Sequence, residues 1–419
     1  MKLVRRPRRS GGYPGVQRPG RKCFLAMLGV TVSVLPLAAV PARDLTLRGK
    51  TTATAYLFAE SPAYAEQSRN QWGLRVQPEL IYGGDALLTW TLEPVLGYAS
   101  QAQQQPDFDL RQAKLDVDWG DWRLTLGNDV VFWGVTEVVQ LPDVVNQTDL
   151  ADDIFGDTKL GQPMLRLERL SDLGAFQLYY FPLARVRRFP GEEGRLRLQP
   201  YVDEDAALWE TDLKEAEPSF AARWETNWDR LDFGAFAYHG VTREPAFVPD
   251  ADRLRPFYAV VDQLGIDAQW TQGATLAKLE LLGTRDQPDR RLRRGDAVAT
   301  AVGLEHNLFG IAGSRKDLAL ILEYSFDSRG RNALNPWQND LTIGARLSFN
   351  DVDASRIRLL ATQDLYFDTS SVRLTASRRW SENLRLSMDA VYFIEVDERD
   401  FLYSYRRDSF LRLTVERFF

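Results

Sequence analysis

The sequence predicts an all-β chain closed into a transmembrane antiparallel up-and-down barrel of about 18 strands, with 16 as the alternative count. Three observations carry that prediction. Apolar and polar residues alternate with period two along most of the chain, which is the signature of strands with one dry and one wet face. The connectors alternate between short and long, as they do in barrels whose two rims face different compartments. Mean hydropathy stays at −0.32 although 44% of the 419 residues are apolar. With 26% charged side chains and one Cys, the chain is neither disordered nor a disulfide scaffold. It contains only one long apolar run, so a bundle of membrane helices is excluded.

That run opens the chain. Residues 1–22 carry eight Lys or Arg and no acid, and the apolar stretch Phe24–Val40 follows, which is the order of a secretory signal peptide. Val40-Pro41-Ala42 sets small residues at the two positions a signal peptidase inspects, so 1–42 is expected to be removed and 43–419 to form one barrel domain. An uncleaved anchor is the alternative, and charge follows at once at Arg43 and Asp44. Cys23 precedes the run and is wrongly placed for lipidation. Removal takes eight of 52 basic residues and none of 58 acidic ones, leaving a net charge of −14 and no basic face for nucleic acid.

The strands follow in order. Trp72, Leu74, Val76, Leu80 and Tyr82 share one parity against Gln71, Arg75, Gln77 and Glu79, and Leu88, Trp90, Leu92, Leu96 and Tyr98 repeat the rule. Leu341, Ile343, Ala345, Leu347 and Phe349 repeat it near the other end. The expected strands lie near 43–58, 71–83, 86–98, 107–119, 122–130, 163–170, 175–184, 218–227, 231–240, 257–271, 274–284, 296–308, 317–327, 339–349, 356–367, 370–380, 384–394 and 408–419. Strands of about 11 residues at about 3.3 Å each, tilted by roughly 40°, reach about 25–28 Å, the height of the apolar band of such barrels. Trp119, Trp122, Trp224, Trp228, Trp270 and Trp380 abut short turns, where an interfacial girdle is expected.

The last strand sets Leu411, Leu413, Val415 and Phe419 on one parity. It resembles the terminal strand of Gram-negative outer-membrane barrels, whose final aromatic residue, here Phe419, belongs to the signal read by the barrel assembly machinery. Arg417 departs from that pattern. With the export signal and the strand count, the chain resembles a porin-type barrel. The resemblance implies a bacterial outer-membrane location, contact with lipid and lipopolysaccharide, passive diffusion of small polar solutes and, as one assembly, a homo-oligomer.

The most informative connector is 131–162, which holds Glu137, Asp143, Asp149, Asp152, Asp153 and Asp157 with Lys159 its only base. It is third among the long loops and resembles the porin loop that folds inward and narrows the pore. Its apolar residues, among them Val131, Trp133, Val144 and Val145, need cover that the lumen wall would supply. An external lid and a misread pair of strands are the alternatives. Arg346, Arg358, Arg373, Arg379, Arg385 and Arg412 fall on the wet parity of the last five strands, across an 18-strand ring from this loop. Facing it they would set a field across the pore. Alternatively they pair with Asp364, Asp389 and Glu416 to hold the wall.

No catalytic site is expected. The two histidines, His239 and His306, are far apart and lack an evident nucleophile. No cofactor and no metal centre is expected; Asp149, Asp152 and Asp153 form the one oxygen-rich group suited to Ca²⁺. The loop 185–217, mixed in charge, reads as solvated or as facing lipopolysaccharide. A plugged or narrow barrel serving export or surface anchoring of apolar or polymeric cargo is the alternative function.

Overall fold

The computed structural model describes residues 45–85 and 87–419; the expected signal segment lies outside them. Among these, 18 strands form one closed antiparallel sheet. In chain order they are β1 (Leu45–Phe58), β2 (Gln71–Asp85), β3 (Leu88–Ala99), β4 (Asp107–Trp119), β5 (Trp122–Asp129), β6 (Gln162–Ser171), β7 (Gly174–Phe181), β8 (Ser219–Trp228), β9 (Leu231–Val241), β10 (Val260–Gln272), β11 (Thr275–Pro288), β12 (Arg294–Leu308), β13 (Asp317–Asp327), β14 (Asn339–Ser348), β15 (Arg356–Asp364), β16 (Ser370–Ser381), β17 (Leu384–Glu395) and β18 (Phe410–Phe418). Each pairs with its sequence neighbours, and β18 returns to β1 from Lys50↔Phe418 to Phe58↔Phe410. Reciprocal backbone bonds between Gly49 and Phe419, 2.9 and 3.0 Å, complete that seam. The alternative of 16 strands is thereby set aside.

Strand edges leave backbone donors and acceptors unpaired, and acyl chains offer them no partner, so closure is the form a sheet takes in lipid. The outward rows agree with that solvent: Leu264 is 69% and Ile343 55% exposed, and Leu74, Leu92, Val302, Leu322 and Leu413 are likewise bare. Trp119 and Trp122 face each other across Gly120-Asp121, where Gly120 takes φ +57°, a left-handed value an L side chain resists. Trp228, Trp270 and Trp380 stand exposed beside other turns.

Two expectations need correction. The inward rows are not hydrated throughout: Tyr179, Phe181, Ala221, Phe236, Tyr238 and Val261 on β7–β10 are buried, because Val131, Trp133, Val144 and Val145 pack against them from inside. The loop 185–217 is not a free solvated segment. Tyr201–Val202 and Leu208–Trp209 pair in parallel with Arg253–Tyr258, which forms a hairpin with Ala246–Asp250. Residues 257–259, expected in a barrel strand, therefore lie before β10, since Phe257 and Tyr258 belong to this small outer sheet.

Candidate functional site

The segment between β5 and β6 organises the lumen. It leaves the wall at Asp129, and its apolar residues dock on β6–β10: Trp133 lies 5.5 Å from Tyr179 and 5.2 Å from Phe236, ring centre to ring centre. Its backbone then meets two wall carboxylates. Glu280 of β11 accepts the N–H groups of Val135, Thr136 and Leu141 at 2.6, 3.0 and 2.7 Å. Glu323 of β13 accepts those of Glu137, Val138 and Val139 at 2.8, 3.1 and 3.1 Å. Both carboxylates are buried, and charged acceptors each taking three amide donors are among the strongest hydrogen-bonded arrangements in proteins.

From there the segment reaches the far wall. Glu137 pairs with Arg346 at 2.7 Å, Arg358 at 3.1 Å and Lys278 at 3.9 Å. In a ring of 18, β14, which carries Arg346, stands opposite β5. The tip swings to the seam: Asp153 meets Arg412 at 2.9 Å, Asp152 pairs with Arg75 of β2, and Tyr56 of β1 donates its hydroxyl to the Asp152 carbonyl at 3.0 Å. Phe155 lies under the Arg373 guanidinium, 3.5 Å from ring centre to charge. Asp149 faces Arg188 at 3.4 Å and Arg75 at 3.9 Å, and Asp143 holds Lys159 at 2.5 Å.

The acids of the segment thus differ in environment. Burial works against the charge of Glu137, but Arg346, Lys278 and Arg358 hold it below the usual carboxylate range. Burial pushes Asp143 and Asp149 up despite the cations beside them. Asp157 is exposed toward the lumen and, among the described residues, makes no ion pair; partial desolvation of its carboxyl and the neighbouring Asp153 raise it.

The arginine row divides into two groups. Arg346, Arg358 and Arg412 bind the segment, and Arg373 both stacks on Phe155 and pairs with Asp389 at 2.7 Å. Arg412 shares that Asp389 at 2.8 Å, so bonds to the segment and bonds within the wall coexist. Arg379 and Arg385 stand at the short-turn end; Arg385 lies 3.7 Å from Glu416 and stacks over Phe418. Phe419 closes the seam to Gly49.

Sequence reasoning missed Glu280 and Glu323. Their signal was present: on the inward parity Glu323 follows Ala319 and Ile321, and a carboxylate on a dry row requires donors from elsewhere. Above the segment, residues from loops and upper strands enclose a cavity of about 430 Å³ lined by Asp157, Arg187, Arg243, Trp337, Arg358 and Tyr405, among others. His239 pairs with Asp262 at 2.8 Å on the outer face, away from this cavity. Among the described residues no group of three His, Cys, Asp or Glu is placed to hold a metal; Asp149, Asp152 and Asp153 face arginines instead.

No protein-family model and no curated protein matches the sequence. The solved structures that resemble it are porins and other outer-membrane barrels. Wzi of Escherichia coli, described as a carbohydrate-binding barrel involved in group 1 capsule assembly, gives a TM-score of 0.50 at 11% identity, covering 87% of this chain and 83% of that one. A mutant porin of Rh. blastica gives 0.46 at 11% identity, covering 90% and 100%. OmpF of Salmonella typhi, in complex with daunomycin, gives 0.46 at 10% identity, covering 90% and 97%. The likeness to Wzi is one of fold: a closed outer-membrane-type β-barrel.

Proposed function

We propose that the protein is a bacterial outer-membrane channel for passive diffusion of small polar or charged solutes, with its bore set by residues 130–161. The carrying observation is the attachment of this single segment to both sides of the lumen, through Glu280, Glu323, Arg346 and Arg358 on one side and Arg75 and Arg412 on the other. The exposed apolar outer rows suit acyl chains, which supports the membrane location. In this reading the long loops face lipopolysaccharide, while the short turns and Phe419 lie on the periplasmic side, where the assembly machinery acts. No chemical step is part of the function.

Planar-bilayer recording tests it. The wild type is expected to give step-like conductance, and Glu280→Gln combined with Glu323→Gln, which weakens six charge-assisted bonds, is expected to raise the unitary conductance. An unchanged conductance would show that the segment does not set the bore. A second reading, a plugged barrel for export or surface anchoring, draws support from the outer loops: Arg195 and Asp408 pair at 2.6 Å with both side chains fully buried, and Leu196 packs beside Phe155 above the lumen. Silent bilayers containing demonstrably folded protein would favour it.

A further inference from the structure

The outer loops are rich in arginine, and several of these guanidiniums have a carboxylate: Arg185 meets Asp109 at 2.7 Å, Arg188 meets Asp107 at 2.7 Å, and Arg329 meets Glu244 at 2.8 Å. Arg187 and Arg243 do not. Among the described residues neither takes part in an ion pair, although both line the inner cavity. Arg243 is 6% exposed; its Nε donates to the Val144 carbonyl at 3.2 Å, but Nη1 and Nη2 are buried with no acceptor. Phe181 and Tyr238, each 5.9 Å away, offer it only ring faces. Arg187 donates Nε to Gln147 Oε1 at 3.3 Å and Nη2 to the Arg243 carbonyl at 2.6 Å, which ties the two arginines together.

The surrounding groups share one deficiency. Gln147 Nε2 and Thr148 Oγ1 are also buried without a partner, and both are able to donate. The nearby carboxylates are engaged elsewhere: Glu244 by Arg329, and Asp143 through one oxygen by Lys159, its other oxygen being unpartnered. The corner therefore holds two guanidiniums and two neutral donors, with one carboxylate oxygen left over. Burying a cation without an acceptor is costly, and the group that relieves such a surplus of donors is an anion. Guanidinium forks match carboxylate and phosphate oxygens in particular.

We infer that Arg187, Arg243 and Thr148, with Gln147 positioning Arg187 from behind, form a binding site for the carboxylate or phosphate group of a solute entering the inner cavity. The site holds an anion between the outer loop and the segment that crosses the lumen, so occupancy braces those two elements against each other.

The test uses the full barrel folded in detergent and titrated calorimetrically with inorganic phosphate and with succinate, glycerol serving as the neutral control. Wild type is expected to bind at least one of the anions and not glycerol, and the one it binds identifies phosphate or carboxylate as the preferred group. Arg243→Met, which keeps volume but removes the charge, is expected to bind that anion at least tenfold more weakly. Thr148→Val, which removes one donor at little cost to packing, is expected to weaken it severalfold and keeps the test decisive should the arginine variant fail to fold. Absence of anion binding by wild type, or wild-type affinity in folded Arg243→Met or Thr148→Val, overturns the inference. Step conductance without anion binding sinks this site and leaves the channel reading standing, whereas arginine-dependent binding in a silent barrel does the reverse.

Discussion

Charge pairs decide what each acidic residue of the crossing segment can do. Asp153 is buried, pairs with Arg412, and accepts the Asp157 N–H at 3.1 Å. Asp152 is taken by Arg75, and Glu137 by two arginines. These side chains hold the segment in place and are largely neutralised in doing so. Asp157 alone among the six expected acids is exposed. A unit charge about 8 Å from a passing ion in water is worth about 0.5 kcal/mol, roughly a twofold change in permeability ratio. Asp157→Asn is therefore expected to shift the reversal potential toward anions by about that factor without changing thermal stability. Asp153→Asn is expected to destabilise by about 1–3 kcal/mol, because it removes the charge of one of the two carboxylates that hold the half-buried Arg412 guanidinium. Equal effects of the two substitutions in paired reversal-potential and melting measurements would refute the distinction. The composition of 131–162 made the acids conspicuous, but their division into paired and free depends on partners up to 259 residues away, Arg412 for Asp153. No local pattern encodes such partners.

The outer loop 185–217 shows the same limit for a whole element. Its mixed charges read as solvated, yet Arg188 reaches Asp107, Arg195 reaches Asp408, and its two short strands align with Arg253–Tyr258. Glu204 begins a short 3₁₀ turn there and accepts the Phe189 N–H at 3.0 Å. Burial pushes its carboxyl up to about 7. The folded loop thus binds a proton that the unfolded loop, with an ordinary carboxylate near 4.5, releases earlier. The extra stability is fully present below about pH 4.5 and is lost as pH rises through about 7, by roughly 3 kcal/mol at most. Amide exchange around Phe189 is expected to quicken between pH 4.5 and 7.5 beyond its intrinsic pH dependence, and Glu204→Gln is expected to remove the excess. An excess that persists in Glu204→Gln assigns the effect elsewhere.

At the scale of the molecule the barrel was legible because its solvent imposes a period. Lipid outside demands an apolar residue at every second position, and that demand repeats in each strand, so Leu341-Thr342-Ile343 declares its face as plainly as Trp72-Gly73-Leu74 does. Inside, no single solvent imposes a rule. Part of the inner face meets charged groups and part meets Trp133, which is why the dry inner rows of β7–β10 gave no warning. Closure depends on one long-range seam. β1 and β18 pair across more than 350 residues, a high contact order of the kind that slows folding. Gly49 sits in that seam with no room for a side chain: a Cβ there would lie 2.6 Å from the Gln77 carbonyl oxygen and 2.8 Å from the Phe419 ring. Gly49→Val is expected to cost about 1–3 kcal/mol by overpacking. It should lower the temperature at which the compact barrel converts to the slower-migrating unfolded form on a gel, while leaving the unitary conductance of folded molecules unchanged, since the groups a side chain there would meet first are Gln77, Pro78 and Phe419 of the wall. Removal of residues 410–419 is expected to go further: it bares the edges of β1 and β17 together, and no compact, heat-sensitive form should appear. A truncated chain that still migrates as a folded barrel would show that closure does not depend on this seam.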